Sequence, residues 1–352
     1  MSIVGVTGGV DTHADVHVAA AVDRNDGVLG IESFPTNEAG YESLAGWLAG
    51  FGPVIRVGVE GTGSYGVGLA RFLTTTGIEV LEVDRPNRQV RRKKGKSDPT
   101  DAVAAARAAL SGEASVTPKA RNGPVEQMRV LLVARRSARQ QRIQSLNQLR
   151  HLVLTAPEPI RTRFKDRYKA GLVTEAANMQ PRQGSDPVLF TTNIVIRDLA
   201  RRIKALTTEM GNIDRILTAL IGDTAPSLLE LHGLGPDTAA SLLVTAGDNP
   251  ERLHSERAWA HLCGVTPIPA SSGKVTRYRL NRGGRPQRQR RLVSHRPHPH
   301  EQPPGDPPIR HSQTGRRFEH GRDHALFETL RRPPGLQTPP SRGLRSGWGL
   351  TQ

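Results

Sequence analysis

The chain has little of several things, and each shortage narrows its biology. Its single cysteine, Cys263, excludes an internal disulfide and fits a reducing cytoplasm. Within the apolar run Leu262-Cys263-Gly264-Val265 it reads as a small core residue. No apolar run is long enough to cross a bilayer, and the N-terminus lacks the basic start and apolar stretch of a signal peptide. The expectation is therefore a cytoplasmic protein with no membrane partner. Aromatic residues make up 4% of the chain, too few for base stacking on an aromatic platform to be the main binding mode. Acids are scarce beside bases: 33 Asp+Glu face 49 Lys+Arg, a formal net charge of +16. Such an excess favours a polyanionic partner, because each basic contact to a phosphate releases condensed counterions. The alternative is a basic surface with no specific ligand.

Four zones follow along the 352 residues. Residues 1–115 mix β-rich and helical patterns. Val16–Val22 and Val28–Phe34 read as strands joined by the turn signal Asp26-Gly27. Asn37 caps a helix to Phe51 with Leu44, Trp47 and Leu48 on one face. Val54–Val59 reads as a buried strand, Ser64–Thr76 as a helix and Ile78–Val83 as a strand. Together they imply a mixed sheet with helices on its faces, an α/β domain. Glycines in Thr7-Gly8-Gly9-Val10 weaken a strand interior, so the first strand is expected to start near Val10.

Residues 120–220 carry long helical patterns. Ile196, Leu199, Ile203, Leu206, Met210, Ile213, Leu217 and Leu220 follow one another in steps of three and four, a heptad seam of coiled-coil type. Glu126–Val153 is helical too, with Ile143, Leu146, Leu149 and Val153 as its best stripe. Pro157 to Pro187 looks like a connection. The two helices are expected to pair with each other or with another subunit, the latter making a homo-oligomer. Residues 226–284 form a mostly α zone. Residues 285–352, rich in Pro and His, show no sustained apolar period and read as a disordered or frame-shifted tail. Read one base later, permitted codons for Arg285 to Pro333 can encode a helical string.

Four carboxylates stand where strand ends and a helix start can converge. Asp11 follows the apolar Val10, and Glu60 ends the strand Val54–Val59. Asp98 and Asp101 lie in Lys96-Ser97-Asp98-Pro99-Thr100-Asp101-Ala102, where Pro99 fits a first helical turn. A spacing of three puts those two on one helix face. Convergent carboxylates repel unless a hard cation such as Mg²⁺ joins them. Two such ions suit in-line cleavage of a phosphodiester. Ordinary surface acids, or a helix-capping aspartate, are the competing explanations.

Further along, Leu228-Leu229-Glu230-Leu231-His232-Gly233-Leu234-Gly235-Pro236 resembles the turn of a helix-hairpin-helix. Gly233 and Gly235 would let backbone approach phosphate there; a plain helical turn is the alternative. Next come Thr266-Pro267-Ile268-Pro269-Ala270-Ser271-Ser272-Gly273-Lys274 and then Arg277, Arg279, Asn281 and Arg282. A serine before glycine, ringed by Lys274, Arg277, Arg279 and Arg282, suits attack on a phosphate, the cations offsetting transition-state charge. Alone, Ser-Ser-Gly would be read as a loop.

The segments GVDTHADVHVAAAVD around Asp11, GVEGTGSYG around Glu60 and KSDPTDA resemble the catalytic segments of the insertion-sequence one-ten family of transposases. The resemblance covers roughly residues 1–284. It implies a RuvC-like, ribonuclease H-type domain over 1–115 with Asp11, Glu60, Asp98 and Asp101 as its catalytic and metal-binding set. A helical coiled-coil segment over 120–220 and a serine-containing transposase domain over 226–284 would follow. It further implies Ser272 as nucleophile, with Ser271 as the adjacent fallback, Mg²⁺ as cofactor, DNA as substrate and a bridge RNA as guide, in a bacterial cytoplasm. A metal-dependent nuclease for branched DNA, working through the acids alone, is the first rival. A nucleic-acid-binding protein without catalysis is the second. The family pattern holds through Leu280-Asn281-Arg282-Gly283-Gly284 and then stops, which is what suggests the frame shift.

Overall fold

The computed structural model describes residues 5–83, 97–167, 169–184, 186–231 and 234–253, together with 255, 258, 259, 262, 268–270 and 277–279. The described residues fall into two units. The first runs to Glu126 and includes Ala246–Ala258; the second contains Gln127–Thr245 and the described residues from Trp259 on. No helix among them is long and apolar enough to cross a membrane.

The first unit is built on a mixed sheet of five strands in the order β3-β2-β1-β4-β5. Strands β1 (Val6–Thr12), β2 (Val16–Val22) and β3 (Val28–Pro35) form an antiparallel meander. After α1 (Glu38–Gly50), β4 (Val54–Glu60) returns parallel to β1; after α2 (Val67–Thr75), β5 (Glu79–Val83) adds parallel to β4. Helix α3 (Asp98–Ser111) closes the set. Asn37 caps α1 by accepting from the Gly40 N–H at 2.9 Å, and the Asp26-Gly27 turn forms with Asp26 at φ 70°. Sheet alternation sends Val10, Val57 and Val59 to one side, where they pack with Leu44, Leu48, Leu69 and Leu73 of α1 and α2. On the other side α3 presents Ala102, Ala105 and Ala109 to Val18, Ala20, Leu81 and Val83.

Two expectations are corrected here. Strand β1 begins at Val6, not near Val10. Its glycines are kept because α3 lies against the strand: a β-carbon on Gly9 would sit 2.0 Å from the Ala106 nitrogen and 2.3 Å from the Ala102 oxygen. Gly58, its register partner on β4, also lies against α3, with a β-carbon 2.5 Å from the Ala105 oxygen. Packing against a helix backbone outweighs the entropic cost of glycine in a strand. Helix α2, expected from Ser64, starts at Val67, because Ser64 and Gly66 donate backbone N–H bonds to the Gly61 carbonyl in a turn.

The second unit is helical: α4 (Pro124–Thr155, its first turn in the first unit), α5 (Glu158–Phe164), α6 (Lys169–Ala177), α7 (Pro187–Thr224), the single turn α8 (Ser227–Glu230) and α9 (Pro236–Ala246). The stretch read as a connection is a correction: α5 and α6 place Ile160, Phe164, Leu172, Val173 and Ala176 in one core with Leu149, Ile196 and Ile203. The α7 seam is buried at Ile196, Ile203, Leu206, Ile213 and Leu217 within a single chain. Of the stripe expected on α4, Leu149 is buried and Leu146 and Val153 pack against the same core; the full buried face is longer and leaves out Ile143, which is exposed. It runs through Met128, Leu132, Ala138, Ser145 and Leu149. Arg135 sits in that stripe at 15% side-chain exposure; its guanidinium donates to both carboxylate oxygens of Asp214 on α7, at 2.5 and 3.0 Å, and lies 3.4 Å from Asp237 of α9. These carboxylates hold its charge further up, against burial.

Segment Ala246–Ala258 carries the chain back to the first unit. Asp248 caps α4 from 123 residues away, accepting the Val125 N–H at 2.9 Å. Burial pushes its carboxyl up, opposed by the N–H groups of Val125, Gly123 and Glu126. Beyond it stand a 3₁₀ turn (Pro250–Arg252) and the short antiparallel pair β6 (Ile268–Pro269) and β7 (Tyr278–Arg279).

Candidate metal centre

The glycine groove that seats α3 also fixes the acids. Gly9 and Gly58 face α3 from paired positions, so Asp11 and Glu60, two residues further along parallel strands, face the same side. Helix α3 begins beside them. Ser97 accepts the N–H groups of Thr100 and Asp101, at 3.0 and 3.1 Å, and Pro99 fills the first turn, so Asp98 and Asp101 stand at the helix start. Ala102, Ala105 and Ala106 are small enough to keep that turn against the sheet.

The result is a carboxylate cluster at one end of the sheet. Asp11, Glu60 and Asp101 are buried; Asp98 is half-buried. Burial pushes the Asp11 carboxyl above its ordinary range; nearby His13 pulls it down, and the negative charges of Asp101 and Asp98 push it up again. His13 lies between two of the acids, its Nε2 3.2 Å from Asp11 and 3.4 Å from Asp98. One ligand atom from each of Asp11, His13 and Asp98 falls within 4.8 Å of the others. Thr12, alternating to the opposite face, donates its hydroxyl to the Glu60 carbonyl at 2.8 Å and so ties the ends of β1 and β4 together.

Of the residues expected from sequence, Asp11 and Asp98 meet directly across His13, Asp101 is close enough to shift Asp11, and Glu60 ends the strand beside Asp11. His13 was not singled out. Its signal was available: an imidazole two residues after Asp11, at the end of the same strand. The donor set fits a divalent cation. Oxygen ligands suit Mg²⁺, the imidazole admits a transition ion such as Mn²⁺, and a buried carboxylate pushed up by like charges is what such an ion relieves.

The C-terminal expectations are placed less fully. Gly235 is exposed and starts α9, its carbonyl accepting from Thr238 and Ala239. Arg277 and Arg279 are exposed on and beside β7, with the Ala270 N–H donating to the Arg277 carbonyl at 2.8 Å. Gly233, Ser271, Ser272, Lys274 and Arg282, like Cys263 and residues 285–352, lie outside the described residues.

No curated protein matches the chain. Two family profiles do. Residues 8–156 match DEDD_Tnp_IS110, a transposase. Residues 225–295 match the transposase IS116/IS110/IS902 family, eleven residues past Gly284. The first profile spans all four acids and the second spans Ser272, and the chain therefore carries IS110 family transposase domains in both places.

Proposed function

We propose that this chain is a DNA recombinase of an insertion sequence, with a RuvC-like acid site and a serine nucleophile. The observation that carries the first half is the convergence of Asp11 and Asp98 on His13, with Asp101 close by and Glu60 on the adjacent strand end. Asp11, Glu60, Asp98 and Asp101 would hold Mg²⁺, with His13 as a further donor. A bound ion there neutralises phosphate charge and lowers the pKa of a coordinated hydroxyl. The acids would hold the ion, and the packing of α3 on Gly9 and Gly58 keeps them in register.

The second half rests on the family match over Ser272. Its Oγ attacks a DNA phosphorus, a P–O ester bond to the leaving strand breaks, and that strand departs as a hydroxyl with the proton. The phosphoserine ester conserves the bond energy, and a second strand's hydroxyl reverses the step, returning the serine. Lys274, Arg277, Arg279 and Arg282 offset charge on the phosphate during both steps. A bridge RNA as guide belongs to the same reading and is supported by the family match and the positive charge. The helical pair is proposed to join copies in a homo-oligomer through faces other than the buried seam.

Adduct trapping tests this reading. Incubated with Mg²⁺ and DNA carrying the element's ends, the chain is expected to give a covalent protein–DNA species on a denaturing gel. Ser272→Ala should abolish it while DNA binding survives. An adduct lost in Ser271→Ala instead moves the nucleophile by one residue. Cleavage without any adduct, retained in the double variant, contradicts the serine chemistry and returns the acids to a plain nuclease.

A further inference from the structure

Arg121 carries a backbone conformation that is uncommon for a long side chain. Its φ is 53°, in the left-handed region; the other non-glycine described residue with positive φ is Asp26, in a hairpin turn that suits aspartate. Long side chains adopt this conformation rarely, and here the residues on either side are held in place.

The groups that hold them lie on both sides. Ahead of Arg121, the Ala120 N–H donates to Asn249 Oδ1 at 3.1 Å, and Asn249 Nδ2 donates to the Pro118 carbonyl at 2.9 Å. Behind it, Asp248 Oδ1 accepts from Val125 at 2.9 Å, and a β-carbon on Gly123 would stand 2.4 Å from the same carboxylate oxygen. Two adjacent residues thus grip the chain before and after Arg121. The gripped backbone carries the half-buried guanidinium to Gly63, where a β-carbon would lie 3.5 Å from its Nη2. Gly63 is the third residue past Glu60, in the loop that folds back over the end of β4: a β-carbon on Gly66 would be 3.0 Å from the Glu60 carbonyl oxygen.

We infer that Arg121 is the phosphate-contacting cation at the rim of the acid site, positioned there by Asp248 and Asn249. This rests on the proposed reading of those acids as a metal-dependent phosphodiester site. A cluster of carboxylates repels an incoming polyanion; a bound ion offsets part of that, and a guanidinium fork held against the loop that follows Glu60 supplies a second, directional attraction for non-bridging oxygens. The conformational cost at Arg121 is then the cost of aiming the fork.

Arg121→Gly separates this role from a structural one, because glycine adopts the left-handed backbone freely. In the full chain it is expected to unfold in urea at the same or a higher midpoint and to bind Mn²⁺, titrated without DNA, as the parent does. It should bind a labelled DNA duplex in Ca²⁺ about tenfold more weakly, with the slope of log affinity against log salt reduced by about one. Arg121→Lys, which keeps charge and loses the fork, should fall between. DNA affinity in Arg121→Gly equal to the parent's overturns the inference and leaves the metal site standing. A lowered urea midpoint, matching that of Asn249→Ala, also overturns it, in favour of a purely structural residue. If Asp11→Asn leaves Mn²⁺ binding intact, the metal site fails and this assignment fails with it.

Discussion

Gly9 shows at the residue scale how a feature that weakens a strand can make a site. Adding one methyl group there would place a β-carbon 2.0 Å from the Ala106 nitrogen, so α3 would have to move and carry Asp98 and Asp101 away from Asp11. Gly9→Ala is therefore expected to cost about 1–3 kcal/mol in urea unfolding, the usual range for overpacking, and to weaken divalent-ion binding with it. Unchanged stability would mean that α3 does not sit on β1. His17 gives a second test. It is fully buried on β2, stacked on Tyr41 at 5.8 Å, and neither ring nitrogen has a hydrogen-bond partner among the described residues. Burial, aided by His13, lowers its pKa from 6.5 to about 4. The folded state thus holds His17 neutral while the unfolded chain takes up a proton below pH 6.5, so stability is lost as pH falls from there toward 4. His17→Phe should keep the stack on Tyr41 and remove about 3 kcal/mol of that pH-dependent loss. Denaturation curves at several pH values check it; an equal slope in the variant would contradict a buried neutral His17.

At the scale of elements, much could be read from the sequence where a period repeats for several turns. The α7 seam follows its apolar spacing, strands β2, β3, β4 and β5 fall on the runs that read as strands, and Asn37 announces α1 by its side chain. The failures have physical reasons. Helices α5 and α6 are too short to establish a period and lie among Pro157, Pro181 and Gly184. The buried stripe of α4 contains Arg135, which reads as surface until its partners Asp214 and Asp237 are brought to it by tertiary packing. The cap of α4 was invisible because Asp248 is 123 residues away. Asp248→Ala should lower unfolding free energy by about 1–2 kcal/mol, the worth of a helix cap, as measured by urea titration. Seam residues now carry a different expectation from subunit contacts. Ile203 is 3% exposed within its own chain, so Ile203→Lys should reduce helical content by circular dichroism and not merely split an oligomer. A smaller particle with full helicity would show the seam to be a subunit interface after all.

Over the whole molecule, a chain of net charge +16 carries a local cluster of carboxylates, Asp11, Asp98 and Asp101, gathered at the sheet end where Glu60 also stands. The acids themselves were legible, because each sits beside a local signal: a strand end for Asp11 and Glu60, a proline-bearing helix start for Asp98 and Asp101. His13 had a local signal two residues after Asp11, but its second partner, Asp98, is brought in by the fold; Arg121 had none, since the residues that hold its backbone, Asp248 and Asn249, lie far along the chain. The central claim is that this cluster binds a divalent cation, and calorimetric titration of Mn²⁺ into the metal-free chain and into Asp11→Asn tests it most directly. Because burial and like charge push Asp11 up, its ionised form is a strain on the metal-free fold at neutral pH; removing it should leave the metal-free protein at least as stable. The account predicts saturable binding by the parent, with a raised melting temperature, and loss of both in Asp11→Asn. Equal Mn²⁺ affinity in parent and variant would contradict it.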